Sequence, residues 1–169
     1  MTQEDKIISM LDRAEYLYLR HICEPSENSL LLVVEEATIN RSKLGEASVS
    51  ACLFSEILKD ASPIEATAGC RTFELRWDRY VAYLVTEELV GSGGDHSDEV
   101  YTGNLFRVYS TSHLLNHLAR NTGGHIEPLM HYKLICLNHL IDVASYRPPQ
   151  IRLLDTRSED GRETKVKAN

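Results

Sequence analysis

Hydrophobic residues recur at every second position from Phe73 to Trp77, within the segment 71–88, and this period constrains the fold more than any other feature of the chain. Phe73, Leu75 and Trp77 alternate with polar side chains, and a similar alternation resumes at Tyr80. A period of two places alternate side chains on one face of a β-strand. The chain is therefore predicted to contain a sheet with an apolar face.

A hairpin is the simplest pairing for this segment. With Asp78 and Arg79 as its loop, Trp77 would lie opposite Tyr80, and both strands would contribute to one apolar face. Asp-Arg is nonetheless a poor two-residue turn, because type I′ geometry needs the positive φ that Gly or Asn adopts. A continuous strand with a bulge is the alternative.

Three further elements are predicted near the start of the chain. Thr2 and Asp5 form a capping-box pattern, and apolar residues follow at helical spacing, so the first helix is predicted over residues 3–22. A run rich in Leu and Val predicts a buried strand over residues 30–39. Helical spacing returns over residues 46–60 and predicts a second helix there.

The second half of the chain begins with a Gly-rich segment, residues 91–104, which is predicted to be an exposed loop. A strand is predicted over residues 105–109. After it, Ser110 or Thr111 can cap a short helix that ends near Asn121.

Two last strands, residues 132–137 and 140–144, are predicted to pair around a turn at Asn138 and His139. The residues from 155 onward are almost wholly polar and charged, and they are predicted to form a disordered tail.

The order of these elements indicates the fold class. Helices and strands are mixed without a regular β-α-β alternation. We therefore predict one α+β domain over residues 1–154, with residues 155–169 as its tail. A mostly antiparallel sheet of five or six strands would carry two or three helices on one face.

Charge is distributed unevenly along the chain. The segment 1–109 carries 10 basic and 19 acidic side chains, a net charge of −9, whereas the segment 110–169 carries a net charge of +2. A negative field repels phosphate backbones, so nucleic acid is not an expected partner. An acidic surface can instead attract a basic protein partner.

Signals for secretion or membrane insertion are not expected in this chain. The N-terminal segment carries acids where a signal peptide needs basic side chains, and uninterrupted apolar runs such as Leu30–Val34 are far shorter than the roughly 18 residues of a membrane span. No CxxC pair occurs among Cys23, Cys52, Cys70 and Cys136. We therefore predict a cytoplasmic protein with free thiols and no membrane association.

Histidine is concentrated in the second half of the chain. Five of the seven histidines lie within 27 positions, at His113, His117, His125, His131 and His139. On a helix, His113 and His117 would project from one face and could share a zinc ion, with one of the other three as a third ligand. The motif HLLNH lacks the Glu that acts as general base in HExxH enzymes. Caps, turns and half-buried positions are the alternative roles.

Asn138 and Asp142 lie within an apolar stretch, so at least one of them is predicted to be buried. A buried carboxylate needs hydrogen-bond donors or a shifted pKa, and such groups are candidates for functional sites. The structural alternative is that Asn138 adopts a positive φ in a turn and that Asp142 accepts backbone N–H bonds.

No motif in the sequence specifies a reaction. Neither a GxSxG nucleophile elbow nor a recognisable catalytic Cys signature occurs. We interpret the chain as a non-catalytic, cofactor-free cytosolic domain that binds a protein through an acidic surface, as inhibitors and immunity-type proteins do. A zinc-dependent hydrolase that uses the His-rich segment 113–139 is one alternative. A small-molecule-binding or oligomer-forming domain is the second alternative. The sequence does not indicate an oligomeric state.

Overall fold

A computed structural model of the chain describes residues 2–40, 62–67, 69–91, 97–121 and 128–154. In this part of the chain, ten strands form two antiparallel sheets of five strands each, and three helices accompany them. The predicted α+β class and antiparallel pairing are confirmed, and the strands are divided between two sheets where one was expected.

The helices are α1 (Gln3–Asp12), α2 (Glu88–Gly91) and α3 (His113–Asn121). The strands of the first sheet are β1 (Tyr16–Cys23), β2 (Leu30–Ile39), β3 (Ile64–Glu65), β4 (Thr72–Trp77) and β10 (Gln150–Leu154). The strands of the second sheet are β5 (Tyr80–Thr86), β6 (Val100–Thr102), β7 (Phe106–Thr111), β8 (Met130–Ile135) and β9 (Leu140–Ser145).

Strands distant in sequence are neighbours in both sheets. The order in the first sheet is β1-β2-β4-β10, and β3 pairs with the end of β2. The order in the second sheet is β5-β9-β8-β7-β6. Helix α1 contacts β10 and β7, and helix α3 contacts β8. None of the helices in the described ranges is long and apolar enough to cross a membrane.

The two sheets share one hydrophobic core. The predicted alternation on β4 is confirmed, because Phe73, Leu75 and Trp77 are all buried in a cluster that also contains residues of the second sheet. The Trp77 ring centre lies 6.0 Å from that of Tyr132, which in turn stacks on Phe106 at 5.9 Å. Burial raises the pKa of Tyr132 to about 12.

The predicted hairpin between β4 and β5 is wrong. Strand β4 pairs with β2 and β10, and strand β5 pairs with β9 in the other sheet. Asp78 and Arg79 therefore carry the chain from one sheet to the other. Neither residue has a positive φ, which a type I′ hairpin turn would require; within the described ranges Asn28 is the only non-glycine residue that does.

The predicted first helix is correct only in its first half. The Thr2–Asp5 capping box is present, but α1 ends at Asp12 and the chain continues as β1. The sequence YLYLRHIC of β1 is rich in aromatic and branched residues that favour strands. Residues 16–23 therefore form a strand and do not extend the helix. Pairing with β2 and burial of Leu17, which is 1% exposed, stabilise this strand.

Other boundaries differ in smaller ways. The predicted strand over residues 30–39 is β2, but Val100–Thr102 of the expected loop forms β6. Ser112, rather than Ser110 or Thr111, caps α3, since its Oγ accepts a hydrogen bond of 3.1 Å from the Leu115 N–H. The predicted helix over 46–60 and the tail from 155 lie outside the described residues.

Leu75→Ala tests whether β4 supplies the shared core. The substitution should lower the free energy of unfolding by about 2–5 kcal/mol, because it removes buried methyl groups and leaves a cavity. Denaturant unfolding measures the loss. Leu153→Ala, at a position on β10 that is 41% exposed, is the matched control and should cost much less. Equal midpoints for the two variants would contradict the assignment of Leu75 to the core.

Candidate functional site

Pairing within the second sheet brings polar residues from separate strands together on its outward face. Tyr109 lies opposite His131 where β7 meets β8, and Lys133 lies opposite Asp142 where β8 meets β9. Leu84 of β5 lies on the other side of Asp142. Because side chains alternate along a strand, these residues point away from the core that Tyr132 and Val143 enter.

Helix α3 borders this face and encloses a groove of about 440 Å³ with it, which we call the α3 groove. Helix α3 contributes Leu114 and two histidines to the groove, and helix α2 contributes Val90. The groove is lined by Leu84, Thr86, Val90, Glu99, His113, Leu114, His117, His131, Lys133 and Asp142. It therefore combines apolar side chains with several ionisable groups.

A hydrogen-bonded pair, His131 and Asp142, forms the most buried polar part of the groove. The His131 side chain is 3% exposed, and its Nε2 lies 2.8 Å from Asp142 Oδ1. The Lys133 ammonium lies 3.4 Å from the same oxygen. The ring of Tyr109 stacks on the imidazole with ring centres 4.3 Å apart, which fixes the plane of the imidazole.

The other ring nitrogen of His131 determines what the pair can do chemically. With Nε2 donating to the carboxylate, a neutral imidazole carries its lone pair on Nδ1. This Nδ1 is buried and has no hydrogen-bond partner among the described residues. It is therefore an unfilled hydrogen-bond acceptor on a residue that lines the α3 groove.

The two helical histidines line the same groove, but different neighbours hold them. His113 Nε2 lies 2.7 Å from Asp98 Oδ1, and His117 Nε2 lies 2.9 Å from Asn121 Nδ2. Across the ranges that the structure covers, no three His, Cys, Asp or Glu side chains are grouped closely enough to hold a metal ion. His125 lies outside those ranges, so a zinc site that includes it stays a prediction.

His139 and Asn138 lie elsewhere, at the turn between β8 and β9. The Cys136 N–H donates to the His139 carbonyl, so the two turn residues are Leu137 and Asn138, one position earlier than predicted. Asn138 does not have the positive φ expected of it. Its amide instead pairs with the backbone of β1, since Oδ1 accepts from the Leu19 N–H and Nδ2 donates to the Leu19 carbonyl, both at 3.0 Å.

Some residues of the groove were singled out in the sequence as members of a candidate zinc site or a buried polar site. These are three histidines and Asp142, which is buried as expected, whereas Tyr109 and Lys133 were missed. The alternation on β8, where Tyr132 and Leu134 enter the core, indicates that the residues between and beside them face outward. Comparisons with protein-family models, curated proteins and solved structures found no match for this chain.

Asn138→Asp tests the structural role of the turn. The variant keeps an acceptor for the Leu19 N–H, but it places a carboxylate oxygen against the Leu19 carbonyl. The free energy of unfolding should fall by about 1–3 kcal/mol, because a part-buried donor is lost and two acceptors meet. Thermal or denaturant unfolding measures this loss.

Asn116→Asp, on the exposed side of α3, is the control that changes charge equally without a contact to β1. It should change stability by less than about 0.5 kcal/mol. A loss as large as that of Asn138→Asp would show that charge, rather than the bond to β1, is responsible.

Proposed function

We propose that this chain is a small-molecule-binding domain and that its ligand occupies the α3 groove. The observation that carries the proposal is the buried Nδ1 of His131, which lacks a hydrogen-bond partner in the part of the chain described. More than nine-tenths of buried polar groups in folded proteins have such a partner, as a rough average. A ligand that donates a hydrogen bond would supply it.

The residues that line the α3 groove favour a ligand that is partly apolar. Leu84, Val90 and Leu114 line it, and its volume of about 440 Å³ matches a small organic molecule. The Asp142 carboxylate already pairs with His131 and Lys133, so the site has no uncompensated charge at this point. We therefore expect a neutral ligand with a hydroxyl or N–H group on an apolar body.

p-Cresol and toluene are suitable probes, because they differ by one hydroxyl donor. In titrations followed by two-dimensional NMR, p-cresol should give saturating shifts at Leu84, Leu114 and His131. Its affinity should exceed that of toluene by about threefold to tenfold, the contribution of one net hydrogen bond. Absence of saturating shifts at these residues, or equal affinities for the two probes, would contradict the proposal.

Substitutions of His131 locate the acceptor. The amide of His131→Gln can still donate to Asp142, but it offers no acceptor where Nδ1 was, so the preference for p-cresol should disappear. His131→Asn places an oxygen near the Nδ1 position and should retain part of that preference. His139→Gln is the control, since it changes a histidine that also has an unpartnered Nδ1 among the described residues but does not line the groove.

The charge of the chain supports a second candidate function. The net charge of −9 over the segment 1–109 favours a basic protein as partner of a cytoplasmic domain, as in inhibitor or immunity-type complexes. Such an association would slow as salt increases, because the Debye length shortens to about 8 Å at physiological ionic strength. A lysine-rich peptide is a direct probe, and binding unaffected by salt would contradict this candidate.

A further inference from the structure

A second cavity lies where the chain passes between the two sheets. Its volume is about 780 Å³, and it is lined by the ends of β4 and β9, the start of β10 and the segments between them. Three arginines line it, Arg76, Arg79 and Arg147, and we call it the arginine pocket. The α3 groove shares no lining residue with it.

Arg76, which lines the pocket, is incompletely paired. Its Nε lies 3.4 Å from Asp78 Oδ1, yet this N–H is buried and makes no hydrogen bond within the described residues. Asp78 also accepts a hydrogen bond of 3.2 Å from the Gln150 amide. Gln150 bonds to Oδ2 of Asp78, whereas Arg76 faces Oδ1 without forming a hydrogen bond, so the Arg76 guanidinium is incompletely paired.

The other two arginines have no carboxylate partner in the described part of the chain. The structure places the Arg79 guanidinium 5.7 Å from the centre of the Tyr146 ring, and it records no ion pair for Arg79 or Arg147 in that part. The arginine pocket thus has three guanidinium groups against two acidic side chains, Asp78 and Glu4.

Ser145 fixes the two segments that carry these arginines. Its buried Oγ lies 3.0 Å from the Arg79 carbonyl and 2.8 Å from the Arg147 carbonyl, and it accepts a hydrogen bond of 3.2 Å from the Arg147 N–H. The backbones that bear Arg79 and Arg147 are therefore positioned before any ligand binds, which lowers the entropic cost of binding.

We propose that the arginine pocket binds the phosphate group of a small phosphorylated molecule. A phosphate carries a charge of about −1.5 to −2 near pH 7 and three strong acceptor oxygens. Arginine matches these oxygens with paired N–H donors, and three arginines can serve one phosphate more fully than they can serve one carboxylate. The volume of the pocket leaves room for the organic part of the ligand.

The carboxylate of Glu4 provides a second test of phosphate binding. This residue lies in the first turn of α1 and lines the pocket, so its carboxylate repels a bound phosphate. Glu4→Gln should therefore tighten phosphate binding. The capping box of α1 uses Thr2 and Asp5, so this substitution leaves the helix start intact.

Titration with inorganic phosphate at constant ionic strength tests the proposal. Two-dimensional NMR should show saturating shifts at Arg79, Arg147 and Gln150. Arg147→Gln should raise the Kd by about tenfold, which corresponds to about 1.4 kcal/mol. Non-saturating shifts, or shifts spread over all exposed cations, would overturn the proposal.

Arg152→Gln is the matched control, because it removes one exposed charge from β10 outside the pocket. It should change the Kd by less than about twofold, since it removes only a distant, screened charge. If Arg152→Gln raised the Kd as much as Arg147→Gln, phosphate would be bound by general electrostatic attraction, and the proposed site would be wrong. Both residues are exposed, and circular dichroism verifies that both variants fold.

Three further probes identify the source of the phosphate. Glycerol 3-phosphate should bind at least as tightly as inorganic phosphate, and succinate should bind more weakly. Vesicles that contain phosphatidic acid should not bind beyond those of phosphatidylcholine alone. Preference for succinate would overturn the phosphate assignment, and binding to phosphatidic acid vesicles alone would overturn the assignment to a small molecule.

Discussion

Contact between Trp77 and the aromatic residues of the second sheet is the interaction on which the remaining structure depends. Trp77 ends β4 in the first sheet and meets Tyr132 of the second, which stacks in turn on Phe106. Burial of these rings removes much apolar surface from water, which is the main favourable contribution to folding. Directly after Trp77, at Asp78 and Arg79, the chain leaves the first sheet and enters the second.

Both candidate sites follow from this arrangement. Because alternate residues of β8 and β9 fill the shared core, the residues between them face outward, and the pair His131–Asp142 lies there beside α3. The passages between the sheets lie close together because Ser145 bonds to both, and they bring arginines far apart in sequence to one pocket. Both cavities, each of which has ionisable groups in its lining, therefore lie outside the apolar core.

Local sequence patterns predicted the structural features that depend on residues close together in the chain. The α1 capping box, strand β2 and the pairing of β8 with β9 are confirmed, because each depends on nearby sequence. The partners of β4 are not predictable in this way, since β10 lies more than 70 positions away and only packing selects it. Histidine clustering predicted a zinc site, and three of those histidines line the α3 groove, whereas the dispersed residues of the arginine pocket gave no sequence signal.

Native-state hydrogen exchange tests most directly whether the two sheets form one cooperative unit. Strands β4 and β9 are interior strands of the two sheets and contribute to the same core. Their most protected amides should therefore exchange through one global unfolding, with free energies that agree within about 0.5 kcal/mol and fall together as denaturant is added. Exchange of one sheet at a free energy lower by more than about 2 kcal/mol, while the other stays protected, would contradict a shared core.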